Sequence, residues 1–203
     1  MKSSTNIMIV GVGGQGTLLA SRILGHLFMN SGFDVKISEV HGMSQRGGSV
    51  VTYVKYGEKV YSPTVEQGEA DFILAFEGLE AARALSCLSK EGRLIANTQR
   101  IDPMPVITGA AQYPRKIMEN IQEQGCHLHA FDALSLAEEA GSSKAVNIVL
   151  IGYLSNFLPF AVEQWEESIM HCVKPQFVEM NEKAFRLGRD KGAQEIHKGG
   201  NQG

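Results

Sequence analysis

Two rhythms of apolar residues alternate along the first part of the chain. Asn6–Val10 is a short apolar run that ends in glycines and predicts a buried strand. In Thr17–Asn30 the residues Ala20, Ile23, Leu24, Leu27 and Phe28 recur at helical spacing on one stripe, and Gly32 is a natural stop. Asp34–Val40 alternates Val35 and Ile37 with Lys36 and Ser38, so a second strand completes a βαβ unit. The rhythm then changes. Two β-type segments, Ser49–Lys55 and Lys59–Tyr61, flank a Tyr56-Gly57-Glu58 turn and predict a hairpin where a crossover helix would otherwise follow. From Asp71 the α/β alternation resumes with strand Phe72–Phe76, helix Leu79–Leu88, strand Arg93–Ala96, helix Arg115–Gln124 and strand His127–Phe131. Past Ala133 the pattern is helical: Leu134–Ala140, Ala145–Phe157, Val162–His171 and Pro175 to about Gly188, with Pro159 and Pro175 at boundaries. The expected fold class is therefore α/β, a Rossmann-like, mostly parallel sheet with an inserted β-hairpin and a helical C-terminal part from about residue 133. One domain is expected over residues 1–190, and residues 191–203 read as a disordered tail.

Composition narrows the function classes. The chain of 203 residues carries net charge −3 with 20% charged residues, so no basic field invites nucleic acid or anionic lipid. The longest apolar run, Ala145–Leu154, has about half of the roughly 20 residues needed to span a bilayer, and the N-terminus lacks a secretory pattern. A cytoplasmic location is the expectation. Three scattered cysteines, Cys87, Cys126 and Cys172, show no paired spacing and cannot supply the four thiolates that an iron–sulfur cluster usually takes. If electrons flow in this system, another chain carries them.

Two glycine-rich segments carry the candidate chemistry. Gly11, Gly13, Gly14, Gln15 and Gly16 form a strand-to-helix turn in which bare backbone amides and a helix N-terminus can hold a phosphate or carboxylate. Glu39, at the end of the second strand, stands where NAD enzymes keep an acid for the ribose, so NAD, another anionic ligand and a purely structural turn all stay open. The segment His41–Gly48 adds donors Ser44, Gln45 and Arg46 between glycines that include Gly47, with the Arg46 guanidinium as the planar fork. Its bland alternative is a solvated hairpin loop. Glu77 and Asn97 also follow strands but suit helix capping and loop bracing. His127 and His129, with Cys126 and Asp132 nearby, only superficially suggest a metal. Trp165, Met170 and Phe177 fit helix packing or an interface. No nucleophile–base pairing is readable, so no catalytic residue is assigned.

The segments IVGVGGQGTLLASRIL, SEVHGMSQRGGSVVTYVKYG, ADFILAFEGLEAARAL, GRLIANT and AVNIVLIGYL, in this order and spacing, resemble the gamma-type domain of 2-oxoacid:ferredoxin oxidoreductases over roughly residues 6–158. The EVHGMSQRGG stretch is similar to the indolepyruvate-specific branch. The resemblance implies oxidative decarboxylation of an arylpyruvate with coenzyme A as cosubstrate. It places thiamine diphosphate and the iron–sulfur clusters in a large partner subunit, with ferredoxin reached through the complex. This chain would bind none of these cofactors tightly, be inactive alone, and pair with the large subunit or a second copy of itself. Gly11–Gly16 and Ser44–Gly47 would then face coenzyme A or the substrate carboxylate at a shared mouth. An NAD-dependent Rossmann oxidoreductase and a non-catalytic nucleotide-binding module are the alternatives.

Overall fold

The computed structural model describes residues 4–41 and 48–200. These form six strands, β1 (Ser4–Val12), β2 (Asp34–His41), β3 (Ser49–Gly57), β4 (Ala70–Ala75), β5 (Leu88–Asn97) and β6 (His127–Phe131). The α-helices are α1 (Thr17–Asn30), α2 (Gly78–Ala84), α3 (Met104–Ile107), α4 (Ile117–Glu123), α5 (Ala133–Ala140), α6 (Val146–Leu154), α7 (Val162–Cys172) and α8 (Val178–Gly200). The strand order is β2-β3-β1-β4-β5-β6. β1, β4, β5 and β6 run parallel, whereas β3 is antiparallel to both β1 and β2.

Side-chain alternation along the strands divides the core into two layers. Ile7 and Ile9 of β1, Phe72 and Leu74 of β4 and Ile95 of β5 face the layer that holds α1, α5, α6, α7 and α8. Met8, Val10, Ile73, Ala75, Leu94 and Ala96 face the thinner layer, which includes Ala81 and Ala84 of α2 and Ile121 of α4. Helices on both faces of a mixed, mostly parallel sheet make this the expected α/β class. In the thick layer an aromatic chain ties α1 to β3, α7 and α8. Phe28 stacks on Tyr56 at 3.8 Å between centroids, and Phe160 meets Phe28 at 5.4 Å and Trp165 at 6.2 Å. Trp165 in turn stacks on Phe185 at 5.9 Å. Helix α6 is buried along its whole length and packs on α8. Gly152 and Gly188 permit this close approach, because a Cβ at Gly152 would run into the Phe185 carbonyl and one at Gly188 into the Val149 carbonyl.

Four details depart from the sequence reading. The antiparallel pair is made by β2 and β3, in register from Asp34 opposite Gly57 to His41 opposite Val50. Lys59–Tyr61 is not a strand, since the sheet side of β3 is already filled by β1 and β2 and Tyr61 stands 87% exposed. β3 inserts between β1 and β2, so the initial βαβ unit is split by an antiparallel strand. Helix α8 continues to Gly200, well past residue 191 where a disordered tail was expected to begin. Among the described residues no helix is long and apolar enough to cross a membrane.

Candidate functional site

The carboxyl ends of the parallel strands gather the candidate residues at one edge of the sheet, where ligands of doubly wound folds collect. At the end of β1 the chain turns through Gly14 (φ 101°) and Gly16 (φ 83°), both in the left-handed region that glycine adopts without strain. Gly13 donates its amide to the Gly48 carbonyl at 2.9 Å, which ties the turn to the foot of β3. Gln15 braces the turn from inside. Its Oε1 accepts the Val12 amide at 2.7 Å and its Nε2 donates to the Phe76 carbonyl at 3.0 Å. A Cβ on Gly11 would meet that Oε1 at 2.9 Å. Asn147 of α6 donates to the Gly16 carbonyl at 3.1 Å and would collide with any side chain at position 16. Above this braced turn α1 begins without a side-chain cap and with no acid in its first turn. That leaves a helix N-terminus able to take an anion.

Ser44, Gln45, Arg46 and Gly47 lie outside the described residues. The stem on their C-terminal side is held by Glu80, buried in the first turn of α2. Its carboxylate accepts the Ser49 hydroxyl at 2.5 Å and Arg83 at 2.5 Å. Sequence reasoning missed Glu80, Ser49 and Asn147; each lies in a segment read only for its apolar pattern, and long-range partners leave no local signal.

Glu77 and Asn97 are braces, as expected. Glu77 is 1% exposed and caps α2 by accepting the amides of Leu79 at 2.7 Å and Glu80 at 3.1 Å. Its other oxygen accepts the Ile101 amide at 3.2 Å and the Tyr113 hydroxyl. Burial, followed by the bond and the charge of Glu77, pushes the Tyr113 hydroxyl well above its usual pKa, so it stays a donor. Asn97 donates to the Phe76 carbonyl at 3.2 Å and accepts the Ala133 amide at 3.1 Å. The Phe76 carbonyl thus collects both Gln15 and Asn97 and locks β4 between its neighbours.

Glu39 does not sit where a dinucleotide ribose needs it. With β3 inserted, the end of β2 is two strand spacings from β1, roughly 10 Å instead of about 5 Å. The Glu39 carboxylate accepts the Ser21 hydroxyl at 3.3 Å, back on α1. His129 is likewise engaged internally. Tyr153 donates to Glu195 at 2.6 Å, so the 2.9 Å contact between its oxygen and His129 Nδ1 is a bond donated by the imidazole. Among the described residues no three His, Cys, Asp or Glu side chains gather as a metal site. Cys87, Cys126 and Cys172 are half-buried free thiols on separate elements, and burial pushes those of Cys126 and Cys172 up, the reverse of what a thiolate ligand needs. These residues do not fit an iron–sulfur cluster.

Beyond β4 and β5 a second feature opens, a cleft of about 650 Å³ between Thr98–Arg100 and the segment Ala111–Glu119. The Arg100 guanidinium lies 4.3 Å over the Tyr113 ring and pairs with Asp102 at 2.6 Å.

Comparison with known proteins agrees with this architecture. The family described as pyruvate ferredoxin/flavodoxin oxidoreductase matches residues 6–191. The indolepyruvate oxidoreductase subunit IorB of Thermococcus kodakarensis is 45% identical over 190 residues, covering 90% of this chain and 93% of that protein. The 2-oxoglutarate synthase subunit KorC of Methanothermobacter marburgensis is 29% identical over 188 residues, covering 91% and 94%. Among solved structures, the gamma subunit of a keto/oxoacid ferredoxin oxidoreductase from Geobacter sulfurreducens superposes with TM-score 0.71 at 23% identity, covering 94% of this chain and 99% of that one. The family match and the similarity over nine-tenths of the chain converge: the chain belongs to the pyruvate ferredoxin/flavodoxin oxidoreductase family, as an IorB-type oxidoreductase subunit.

Proposed function

We propose that this chain is the small subunit of a thiamine-diphosphate-dependent 2-oxoacid:ferredoxin oxidoreductase that takes an arylpyruvate such as indolepyruvate. In the reaction the arylpyruvate loses its carboxylate as carbon dioxide and its acyl carbon bonds to the sulfur of coenzyme A. Two electrons leave singly to two ferredoxins and one proton is released. Thiamine diphosphate supplies the carbanion-stabilising chemistry and iron–sulfur clusters the electron path, both from the large subunit, since the thiols here do not fit a cluster.

The observation that carries the reading is the 45% identity, across nine-tenths of the chain, to a subunit named for indolepyruvate. Coenzyme A is supported by the 2-oxoglutarate:ferredoxin oxidoreductase of Magnetococcus marinus, described with coenzyme A and succinyl-CoA bound. This chain superposes with TM-score 0.72 on a segment making up 32% of that longer protein. The residues present suit the phosphates of coenzyme A or the substrate carboxylate: the uncapped start of α1 behind Gly13, Gly14 and Gly16, with Gln15 as its brace and Ser44, Gln45 and Arg46 as added donors. The split of the first βαβ unit by β3 argues against the NAD alternative.

Steady-state kinetics of the complex with its large subunit test the proposal. Ferredoxin reduction should require coenzyme A, and kcat/KM for indolepyruvate should exceed that for pyruvate and 2-oxoglutarate by at least about tenfold, the order that filling an aryl pocket supplies. Equal efficiency on all three, or indifference to coenzyme A, would overturn it.

A further inference from the structure

The proposed function uses no residue of the cleft beyond β4 and β5, and the chemistry of this cleft differs from the rest of the molecule. Arg100, Arg115 and Lys116 line it against a single lining acid, Glu119, in a chain whose net charge is −3. Asp102 grips Arg100 by Nε at 2.6 Å and by a second nitrogen at 3.2 Å, and the guanidinium rests on the Tyr113 ring. Tyr113 is in turn fixed by the buried Glu77. Arg100 is therefore held in place before any ligand arrives. Arg115 and Lys116 have no acidic partner among the described residues, so their charge is available to a ligand. Lys116 also adopts φ 54°, ψ 41°, and it is the only described residue other than glycine at positive φ. Few residues with a Cβ adopt that conformation, and those that do cluster at ligand sites. Arg115 and Lys116 both border the cleft. Thr98 and Gln112 add neutral hydrogen-bonding groups, and Val106 and Pro114 form an apolar wall. The volume of about 650 Å³ falls within the range of about 300–1,000 Å³ typical of small-molecule sites.

We infer that this cleft binds the phosphate groups of a nucleotide-sized organic phosphate, with Arg115 and Lys116 as the charged clamp, Arg100 as a preset donor and the Val106–Pro114 wall against the organic part. Planar guanidinium forks and a lysine point charge are the side chains that phosphate oxygens favour. A free nucleotide and the adenosine phosphate end of coenzyme A share this chemistry. The inference does not rest on the proposed function, because its readout is binding and not turnover.

The test is titration of the full chain with inorganic pyrophosphate and with ADP, followed by calorimetry and by backbone amide NMR shifts. Saturable binding is expected, with shifts concentrated at Thr98, Arg100 and Gln112–Lys116. ADP should bind more tightly than pyrophosphate because of the apolar wall. Arg115→Ala should weaken binding about tenfold or more, as for loss of a charge-assisted bond. Lys116→Gly should weaken it similarly while leaving the melting temperature unchanged or raised, since glycine adopts this φ freely; that separates lost binding from lost folding. Coenzyme A added to the ADP-saturated chain then identifies the source. Displacement from Gln112–Lys116 assigns the phosphate to the cosubstrate, and undisturbed ADP assigns it to a free nucleotide. Absence of binding at millimolar probe, shifts confined to Gly13–Leu18, or affinities indifferent to both substitutions would overturn the inference.

Discussion

Single residues at the glycine-rich turn are fixed by backbone geometry and by one long-range neighbour. Gly16 has φ 83° and the Asn147 amide stands where its Cβ would be. Gly16→Ala is expected to destabilise the chain by about 1–3 kcal/mol, the cost of a left-handed alanine plus the displaced Asn147 bond. Adding Asn147→Ala should recover only part of this, since it relieves the contact and not the dihedral; urea unfolding of both variants checks it. Arg46 is expected to act in ligand binding and not in folding. Arg46→Ala should lower kcat/KM of the assembled enzyme about ten- to two-hundred-fold, the worth of a charge-assisted bond of about 1.5–3 kcal/mol. Lysine should rescue it partly, with stability of the chain altered by less than about 0.5 kcal/mol. Varying coenzyme A and arylpyruvate separately would show which ligand the guanidinium meets. At this scale the sequence revealed the strand-to-helix turn and its glycines. It hid the use of Gln15 as a brace and of Glu80 as the anchor of Ser49, because both depend on partners far along the chain.

At the scale of elements, the helices and strands with a clear period were legible and their neighbours were not. The apolar stripe gave α1 its bounds, Thr17–Asn30, and β6 matches its expected residues. The insertion of β3 between β1 and β2 was invisible because side-chain alternation reports which face is buried and says nothing of which strand lies alongside. The end of α8 was underestimated because its last turns are polar, and a polar helix end resembles a tail in composition. Its packing on α6 is tight where Gly152 and Gly188 meet the opposing backbone. Alanine at either position should cost about 1–3 kcal/mol or more, because a facing carbonyl cannot rotate away as a side chain can; denaturant unfolding measures this. The same helix is tied to β6 through Glu195, Tyr153 and His129. Burial holds the His129 pKa below its usual value despite the attraction of Glu195, and burial with the nearby His171 lowers that of His26. Below about pH 6.5 the unfolded chain takes up protons that the folded one resists, so stability should fall as pH drops from that value toward the folded pKa of each histidine. Glu195 adds a loss at lower pH: burial opposes its charge, but the Tyr153 bond and Lys191 prevail and hold its carboxyl below the usual range. Melting temperatures from pH 8 to pH 5 should decline, and His129→Gln should flatten part of that decline.

For the whole molecule, the apolar helical region that suggested an interface is mostly used internally. Leu158, Trp165 and Ile169 are buried in the chain's own core, whereas Met170 and Phe177 remain 56% and 45% exposed. Less apolar surface is therefore exposed in this region than the sequence suggested. The scattered, half-buried thiols do not fit an electron-carrying cluster in this subunit. The most direct test is an add-back assay: purified large subunit, ferredoxin, indolepyruvate and coenzyme A, with increasing amounts of this chain. The account predicts no turnover by this chain alone, little by the large subunit alone, and ferredoxin reduction that rises with added chain and saturates at a fixed stoichiometry. Turnover by this chain alone, or a large subunit fully active without it, would contradict the account.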